Sequence, residues 1–415
     1  MRGPVVAALT LAVVAGMVLP AAIPPGEYQQ RRANLREKLK GTLVLFGKGE
    51  PADVDVNRFR QETNFYYLTG WTEPNARLLI THDREILFLP HHDERREVYT
   101  GKRASAEDPG VNEKTGFQTV MPLEKFERQL RDALDSGPEL YADETSQEVE
   151  RLKPLFLLRK VRAAGPLIGE LRRVKSAAEI EMLQHSADVS MEAQRAAWKK
   201  MKAGAYEYQA QAAFTETMMD QGCEGYAYPP IIGSGPNSTV LHYETNRRRM
   251  DRGEVVVIDA AAECQAYAAD ITRTIPVSGR FTARQREIYN IVLGAQKAAI
   301  AAIKPGAAFY GPKSVSQIAI DYINSHGKDK HGEPLGKYYT HGLGHPVGLD
   351  VHDEGSLAPT LKEGMVLTVE PGIYIPEESI GVRIEDMVLV TKDGARIMTG
   401  ALPKDPDDVE RALAE

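Results

Sequence analysis

An apolar run that ends in an acid is the feature that most constrains how this 415-residue chain can fold. Residues 255–258 are Val, Val, Val and Ile, and Asp259 follows them directly. Such a run predicts a buried strand with a carboxylate at its end. A second acid, Asp270, lies eleven residues further on, within the strand-like run 266–275. If the segment between them turns back as a hairpin, strand alternation lets both carboxylates reach one cation. Taken alone, the two acids are better explained as a strand-end cap and an edge charge, because single acids at strand ends are common.

Residues 341–353 form a second unusual segment, which holds three of the chain's ten histidines together with three glycines. The histidines are His341, His345 and His352. Glycine lets the backbone approach a ligand closely, and imidazole serves as a metal ligand or as an acid and base near neutral pH. Any one of these histidines could instead be a hydrogen-bonded loop residue, but their clustering favours a functional site.

Two more acids complete the series. Glu370 ends the strand-like run 365–370, and Glu385 lies within the run 381–390. Strand alternation places Arg383 and Glu385 on the same face, which predicts that the arginine orients this carboxylate. The alternative is an ordinary surface salt bridge.

A break at residues 163–166 (Ala-Ala-Gly-Pro) predicts two domains, 23–165 and 166–415, in keeping with the length of the chain. Short apolar runs in the first part predict strands at 43–46, 65–68, 76–80 and 85–89. Helical spacing in the second part predicts helices near 176–201, 206–221, 282–303 and 314–325. Strand-like runs there lie at 255–260, 266–275, 365–370, 381–390 and 394–399. We therefore expect an α/β domain followed by an α+β domain with helices packed on an antiparallel sheet.

The first 22 residues have the pattern of a signal peptide. Arg2 precedes an apolar run at 5–19, and Pro-Ala-Ala follows at 20–22. This pattern predicts export to the periplasm or the medium; an uncleaved anchor, or a cytoplasmic protein with a misassigned start, is the alternative. No later segment is apolar for long enough to span a bilayer, so we expect the mature protein not to be embedded in a membrane.

Composition is that of an ordinary globular enzyme, with 42% hydrophobic and 26% charged residues. The formal net charge of -7 argues against a nucleic-acid partner. The only cysteines, Cys223 and Cys264, lie outside any CxxC or Cys/His pattern typical of zinc or redox sites. We expect both to be small packed residues, and a single bridge between them stays open for an exported protein.

In order and spacing, the acidic and histidine segments resemble the ligand signature of the pita-bread metallopeptidases, which include methionine aminopeptidase, prolidase and Xaa-Pro aminopeptidase. The signature residues are Asp259, Asp270, His345, Glu370 and Glu385. Segments that resemble the proline-specific branch are 232–237, 241–243, 270–274 and 285–289. Residues 59–61 and 65–70 are similar to the amino-terminal domain of Xaa-Pro aminopeptidases and some prolidases, which methionine aminopeptidases lack.

The resemblance implies a small amino-terminal α/β domain and a pita-bread catalytic domain, whose curved antiparallel sheet is flanked by helices. It also implies two divalent metal ions. Asp259 would chelate the first ion, and Asp270 and Glu385 would bridge both. His345 and Glu370 would complete the second. A set of mostly oxygen ligands with one imidazole favours manganese, with cobalt, iron and zinc as alternatives.

By the same resemblance, Glu370 is also the general base that takes the proton of the attacking water. His242 and His352 would contact the substrate at the scissile bond and stabilise or protonate the tetrahedral intermediate. His341 would line the pocket that receives proline. Side chains that titrate near the working pH suit such proton transfers.

These implications predict a Xaa-Pro aminopeptidase, which removes the first residue of a peptide whose second residue is proline. The nearest alternative is a Xaa-Pro dipeptidase (prolidase), whose site leaves no room beyond proline. A third is a non-catalytic pita-bread protein that binds peptides, although such a protein typically loses several of the ligands. The resemblance further implies a homo-oligomer, either a dimer or a tetramer.

Overall fold

The structure, a computed structural model, describes residues 22–50, 58–156 and 159–414. All but the last residue of the predicted leader, 1–22, lies outside these ranges, so export stays a prediction. Across the described ranges, no helix is both long enough and apolar enough to cross a membrane.

The amino-terminal part is built around a six-stranded mixed sheet, which confirms the expected α/β unit. Its strands are β1 (Gly41–Phe46), β2 (Arg77–Ile80), β3 (Glu85–Leu89), β4 (Val120–Pro122), β5 (Glu139–Ala142) and β6 (Lys160–Ala163). Their order is β4-β3-β2-β1-β5-β6, with β1 to β3 antiparallel and the outer strands joined in parallel. Its helices are α1 (Pro25–Arg36), α2 (Thr63–Thr69), α3 (Glu94–Thr100), α4 (Val111–Thr115), α5 (Phe126–Ala133) and α6 (Gln147–Leu152).

The carboxyl-terminal part is α+β, with small antiparallel sheets between long helices. Its helices are α7 (Gly165–Arg172), α8 (Ala177–Trp198), α9 (Glu207–Asp220), α10 (Ala283–Ala301), α11 (Val315–His326) and α12 (Pro406–Ala414). Its first strands are β7 (Gly225–Tyr226), β8 (Ile231–Ser234), β9 (Val255–Asp259), β10 (Ala262–Cys264), β11 (Tyr267–Ala268) and β12 (Thr272–Pro276). The later strands are β13 (Val366–Val369), β14 (Gly372–Ile375), β15 (Ile380–Arg383), β16 (Asp386–Val390) and β17 (Ala395–Ile397). The strands β7 to β17 form four sheets with the orders β12-β9-β8, β11-β10-β7, β13-β16-β17 and β14-β15.

Residues 65–68 are helical, so the strand predicted there is wrong. The Glu62 carboxylate caps the amino end of α2, because it accepts hydrogen bonds from the backbone N–H groups of Asn64 (3.1 Å) and Phe65 (2.6 Å). Gly70 then ends the helix in a left-handed conformation, with φ of 66°. The aromatic run has strand propensity, but these two caps and burial against the core favour the helix.

The predicted pairing of the two acidic strands is confirmed, although the connection is longer than a plain hairpin. Strands β9 and β12 are antiparallel, and Asp259 lies opposite Thr272. Between them, β10 and β11 form a small excursion that pairs with β7. The run predicted at 381–390 is likewise interrupted at Ile384 and Glu385, where β15 ends and β16 begins.

Cys223 and Cys264 form a disulfide, with Cα atoms 4.4 Å apart. The expectation of two unlinked packed residues is therefore wrong, and the single bridge that the sequence left open is present. The sheet explains the contact, since β10 ends at Cys264 and pairs with β7, which begins at Gly225, two residues after Cys223.

One hydrophobic cluster continues from the amino-terminal part into the carboxyl-terminal part. Phe65 and Tyr67 of α2 belong to the same buried cluster as Tyr267 and Val347. The amino-terminal part is thus packed directly against the segments that lead to Asp270 and to the histidine-rich loop. The division at residues 165–166 falls at the start of α7 and stays a prediction.

Candidate metal centre

All eight side chains predicted for the site line one cavity of about 440 Å³. They are Asp259, Asp270, His345, Glu370, Glu385, His242, His341 and His352. The cavity is also lined by Tyr228, Pro229, Ile231, Leu241, Glu244, Gly342, Gly344, Val351 and Arg383. Every one of these residues belongs to the carboxyl-terminal part, as expected for a catalytic domain.

Strand ends position the four carboxylates. Asp259 is the last residue of β9, and Glu370 directly follows β13. Asp270 lies two residues before Thr272, the β12 residue that pairs with Asp259. The Glu385 N–H donates to the carbonyl of the same Thr272 (3.0 Å), so the break between β15 and β16 is held against β12.

The histidine-rich loop is held against β13. The N–H of Thr368 donates to the carbonyl of His345 (2.9 Å), and the N–H of His345 donates to Thr368 Oγ1 (3.0 Å). Gly344 lies so close to this strand that a Cβ there would collide with the Thr368 carbonyl. The glycine is therefore required for the close approach of two backbones, whereas the sequence had suggested a close approach to a ligand.

Three of the predicted ligands form a tight cluster. Asp270, His345 and Glu385 each offer a ligand atom, and these atoms all lie within 4.8 Å of one another. His345 Nε2 is 3.3 Å from Asp270 Oδ2 and 3.5 Å from Glu370 Oε1. The Glu385 side chain also accepts a hydrogen bond from Thr272 Oγ1 (2.6 Å).

The remaining carboxylate, Asp259, is held by two other side chains. Arg383 Nη2 donates to Asp259 Oδ2 (2.6 Å), and the Tyr228 hydroxyl donates to Asp259 Oδ1 (2.6 Å). Arg383 also donates to the Tyr374 hydroxyl (3.0 Å) and to Thr272 Oγ1 (3.2 Å). Arg383 does orient a carboxylate, as predicted, but that carboxylate belongs to Asp259 and not to Glu385. The reason is that β15 lies beside β9, so the Arg383 side chain reaches Asp259.

Burial and mutual repulsion perturb the acids. Burial, together with the neighbouring charges of Asp270 and Asp259, raises the pKa of Glu370 to about 7 against the opposing charges of His345 and Arg383. Burial, with Asp270 and Glu370 close by, also raises the pKa of Glu385 well above its usual range. The pKa of Asp259 is raised by burial despite Arg383. The crowded carboxylates thus lack sufficient positive charge among the described side chains.

The histidines have contrasting environments. Burial alone would lower the pKa of His345, but the hydrogen-bonded Asp270 and the nearby Glu370 raise it to about 9. Burial, with Arg383 nearby, lowers the pKa of His341 to about 4. Burial also lowers the pKa of His352, whose ring centroid is 4.0 Å from that of His345.

The structure adds two tyrosines that sequence reasoning missed. Tyr228 bonds Asp259, and Tyr374 links His341 to Arg383 because its hydroxyl lies 2.8 Å from His341 Nε2. Tyr374 had a usable signal, since it follows Glu370 by four residues in a strand-like stretch. Tyr228 had none, because its role depends on β7 lying beside β10.

Two family profiles match this chain. Metallopeptidase family M24 matches residues 181–392, and the amino-terminal domain of aminopeptidase P matches residues 28–141. The Xaa-Pro aminopeptidase of Haemophilus influenzae is 34% identical, over 95% of this chain and 98% of the relative. That of Escherichia coli is 32% identical, over 93% and 97%. A Xaa-Pro dipeptidase of Pyrococcus horikoshii is 32% identical, over 88% and 97%.

Solved structures agree with the sequence relatives. Aminopeptidase P from E. coli with the inhibitor Pro-Leu superposes with a TM-score of 0.86 at 28% identity, covering 95% of this chain and 99% of that one. A zinc-substituted E. coli aminopeptidase P in complex with product superposes with a TM-score of 0.84 at the same identity and coverage. The predicted pita-bread fold is confirmed. This chain belongs to metallopeptidase family M24 and has the amino-terminal domain of aminopeptidase P.

Proposed function

We propose that this protein is a Xaa-Pro aminopeptidase, a metallo-exopeptidase that releases the first residue of peptides with proline second. The observation that carries the proposal is the convergence of four carboxylates and His345 in one cavity. The similarity to Xaa-Pro aminopeptidases over nearly the whole chain supports the same substrate class.

The donor set of the cavity fits divalent cations. The four acids proposed as ligands lie close to Arg383 and His345, whose positive charges could offset only part of theirs. Burial makes the remaining excess of negative charge costly without added cations. Mostly oxygen donors with one imidazole suit manganese, with cobalt, iron or zinc as alternatives. The ligands that we propose for two such ions are Asp259, Asp270, His345, Glu370 and Glu385.

When bound, two divalent ions supply an acidified water and stabilise negative charge on the carbonyl oxygen. We propose Glu370 as the acceptor of the water's proton. Its carboxylate lines the cavity beside His345 and so lies close to where such a water would be held. Thr368 Oγ1 donates to Glu370 Oε1 (3.2 Å) and so fixes the carboxylate in place.

The three other histidines are proposed to contact the peptide. His242 is exposed at the cavity and His352 lies against His345, which suits contacts on either side of a scissile bond. A lowered pKa keeps His352 neutral, so that it can both accept and donate a hydrogen bond. His341 is fixed by Tyr374 and is proposed to line the proline pocket.

A Xaa-Pro dipeptidase is the second candidate, and the similarity to the P. horikoshii dipeptidase favours it. Both activities break the same bond, and they differ in whether the site accepts residues after proline. Assays of Gly-Pro-Gly against Gly-Pro, with Gly-Ala-Gly as the control, separate them. We expect release of glycine from Gly-Pro-Gly and none from Gly-Ala-Gly. Cleavage of the dipeptide alone would establish the second candidate.

The third candidate, a non-catalytic peptide-binding protein, is disfavoured because all five proposed ligands are present. Metal analysis of the purified protein, followed by chelation and addition of Mn²⁺, tests it. We expect chelation to abolish hydrolysis and Mn²⁺ to restore it. Protein that binds no divalent metal and stays inactive with Mn²⁺ would establish the non-catalytic candidate.

Further proposals concern the whole protein. We propose two domains at 23–165 and 166–415, export after removal of the leader 1–22, and a homo-oligomer. Light scattering of the purified protein gives the oligomeric state, and amino-terminal sequencing of the exported protein gives the cleavage position.

A further inference from the structure

A second cluster of metal-ligating side chains lies outside the carboxylate cavity. His185 on α8, Cys223 after α9 and Cys264 at the end of β10 each offer a ligand atom, and these atoms lie within 4.8 Å of one another. All three residues are buried, with 8%, 5% and 2% of their surfaces exposed. In the structure the two sulfurs are joined as a disulfide.

The imidazole of His185 lacks the partner that a buried polar group normally has. Its Nε2 is shielded from solvent and makes no hydrogen bond to any residue in the described ranges. Buried side-chain nitrogens of this kind nearly always have a partner, so an unpaired one needs an explanation. Burial lowers the pKa of His185, against the opposing charges of Asp188 and Glu224, so the ring stays neutral. The neutral ring is the form that binds metal ions.

The backbone holds both cysteines in place independently of the bond between them. Strand β10 pairs with β7 and β11, so Cys264 is fixed opposite Tyr267. The N–H of Cys223 donates to the carbonyl of Met218 at the end of α9 (3.2 Å). Reduction of the disulfide would therefore leave two thiols beside the His185 ring, without a large movement of the chain.

We propose that His185, Cys223 and Cys264 form a redox-gated binding site for a thiophilic cation such as Cu⁺, Zn²⁺ or Cd²⁺. With the disulfide formed, the site is closed. A dithiol, which is itself oxidised to a disulfide, or a phosphine, which takes oxygen from water to form its oxide, supplies the two electrons that break the S–S bond. Two protons, from the dithiol or from the water, complete the two thiols. The cation then binds both sulfurs and the imidazole, and the two thiol protons return to solvent. Two thiolates and one imidazole are a donor set that prefers soft or borderline cations to manganese.

This site shares no residue with the carboxylate cavity. The proposal can therefore fail without affecting the proposed peptidase activity, and the reverse also holds. Cys264 nevertheless lies in the excursion between Asp259 and Asp270, and hydrolysis therefore reports whether reduction disturbs the fold near the proposed ligands.

Cadmium titration of the manganese-loaded, full-length protein tests the proposal. Thiolate-bound Cd²⁺ has an ultraviolet charge-transfer absorption that oxygen and nitrogen ligands do not produce. Cd²⁺ bound in the carboxylate cavity therefore does not contribute to this absorption. We expect the reduced protein to develop this absorption up to a single Cd²⁺ per chain, and the oxidised protein to develop none. A Cys264→Ser variant should lose most of it.

The role of the histidine is tested by His185→Gln, with His82→Gln on the exposed surface as the matched control. Loss of a direct ligand should weaken Cd²⁺ binding by about tenfold or more, since loss of a group that only orients a ligand already costs that much. The control should bind Cd²⁺ like the parent protein.

Three results would overturn the proposal. They are an absence of charge-transfer absorption in the reduced protein, equal Cd²⁺ affinity in His185→Gln and its control, and loss of near-ultraviolet circular dichroism and hydrolysis on reduction alone. The last result would mean that the disulfide only holds the fold together.

Discussion

Asp270 is the residue whose loss should separate metal binding from folding most clearly. It lies 3.3 Å from His345 Nε2 and belongs to the tight cluster with Glu385. Asp270→Asn keeps the size of this buried side chain but removes its charge. We expect hydrolysis to fall by at least about 100-fold, because even residues that only support a ligand cost 10–100-fold. The Mn²⁺-induced rise in Tm should shrink as well.

Asp220, exposed at the end of α9, provides the matched control, and Asp220→Asn should behave like the parent protein. Calorimetric titration with Mn²⁺ and peptide assays measure both effects. Normal turnover by Asp270→Asn with manganese bound would contradict a ligand role for Asp270.

Arg383 should matter through its shape as well as its charge. Its guanidinium bonds Asp259, Tyr374 and Thr272 at once, which the single ammonium of lysine cannot reproduce with the same geometry. We expect Arg383→Lys to weaken metal binding by about 10–100-fold. Arg396→Lys, at an exposed arginine that bonds Gln184, is the matched control. Equal Mn²⁺ affinity in the two variants would show that charge alone suffices.

Single residues also show how far the sequence could predict this site. The acids and histidines that line the cavity were identifiable because their residue types and order are distinctive. The partners of those acids were not, since Arg383 reaches Asp259 across 124 positions of sequence. Such a contact depends on which strands lie side by side, and strand alternation within β15 carries no information about that.

At the scale of elements, the contact between the histidine-rich loop and β13 fixes the position of His345. Gly344→Ala would push a methyl group into the Thr368 carbonyl, whereas Gly394→Ala meets nothing within 4 Å. We expect the Gly344 variant to lose about 1–3 kcal/mol of the free energy of unfolding, as overpacked sites do. It should also bind Mn²⁺ less tightly, because its backbone must move away from β13.

Urea unfolding and Mn²⁺ titration of the two glycine variants measure this. The Gly394 variant should match the parent protein in both. If Gly344→Ala binds Mn²⁺ normally, the backbone contact with β13 is not what positions His345.

Elements differ in how well local sequence predicts them. Helices α8 to α11 begin and end within three residues of their predicted limits. Their long apolar periodicity and the residues at their ends are local features, so the sequence of each helix alone is enough to predict it. Helix α2 was missed because its aromatic residues favour strands, and its Glu62 cap is not one of the common capping residues. The break at Glu385 was missed because residues 381–390 contain enough apolar residues to be interpreted as one continuous strand.

At the scale of the whole molecule, metal removal should destabilise the fold. The four carboxylates proposed as ligands lie at the end of β9, before β12, after β13 and in the break between β15 and β16, so bound cations hold together segments that otherwise repel one another. Ligand linkage predicts a gain of about 2.7 kcal/mol when free Mn²⁺ is a hundredfold above Kd. Differential scanning calorimetry with chelator or with Mn²⁺ measures the change in Tm. Equal Tm values would show that the strands do not depend on the metal.

The side-chain contacts between the amino-terminal and carboxyl-terminal parts could not be predicted from the sequence. Arg60 bonds Asp350 and Glu263, which lie 290 and 203 positions away. The side-chain amide of Asn64 also donates a hydrogen bond across the two parts, to Glu354 Oε1 (3.0 Å). The contacts with Asp350 and Glu354 hold the end of the histidine-rich loop, so the amino-terminal part supports the position of His352 without lining the cavity. No local pattern could have indicated which charges meet there.

Acid unfolding should report on the ion pairs of Asp353, which lie within the carboxyl-terminal part beside these contacts. Lys175 Nζ lies 2.7 Å from Asp353 Oδ2, and Arg172 contacts the other oxygen. Burial alone would raise the pKa of Asp353, but the charges of Lys175 and Arg172 hold it below its ordinary value. Because the folded pKa is depressed, this carboxylate contributes stability above its unfolded pKa of about 3.9. That contribution is lost as the pH falls through the folded pKa.

Asp353→Asn should therefore lower the free energy of unfolding by about 3 kcal/mol at neutral pH, because Lys175 and Arg172 stay buried without their counter-ion. Below about pH 3.9 the difference from the parent protein should shrink, because the unfolded parent then takes up a proton at Asp353. It should vanish below the folded pKa, where the folded parent also carries a neutral side chain. Asp393→Asn, at an exposed turn, should differ little from the parent at any pH. Urea titrations of the three proteins from neutral to acidic pH measure this convergence. A constant difference between Asp353→Asn and the parent would mean that the side chain acts through packing and not through its charge.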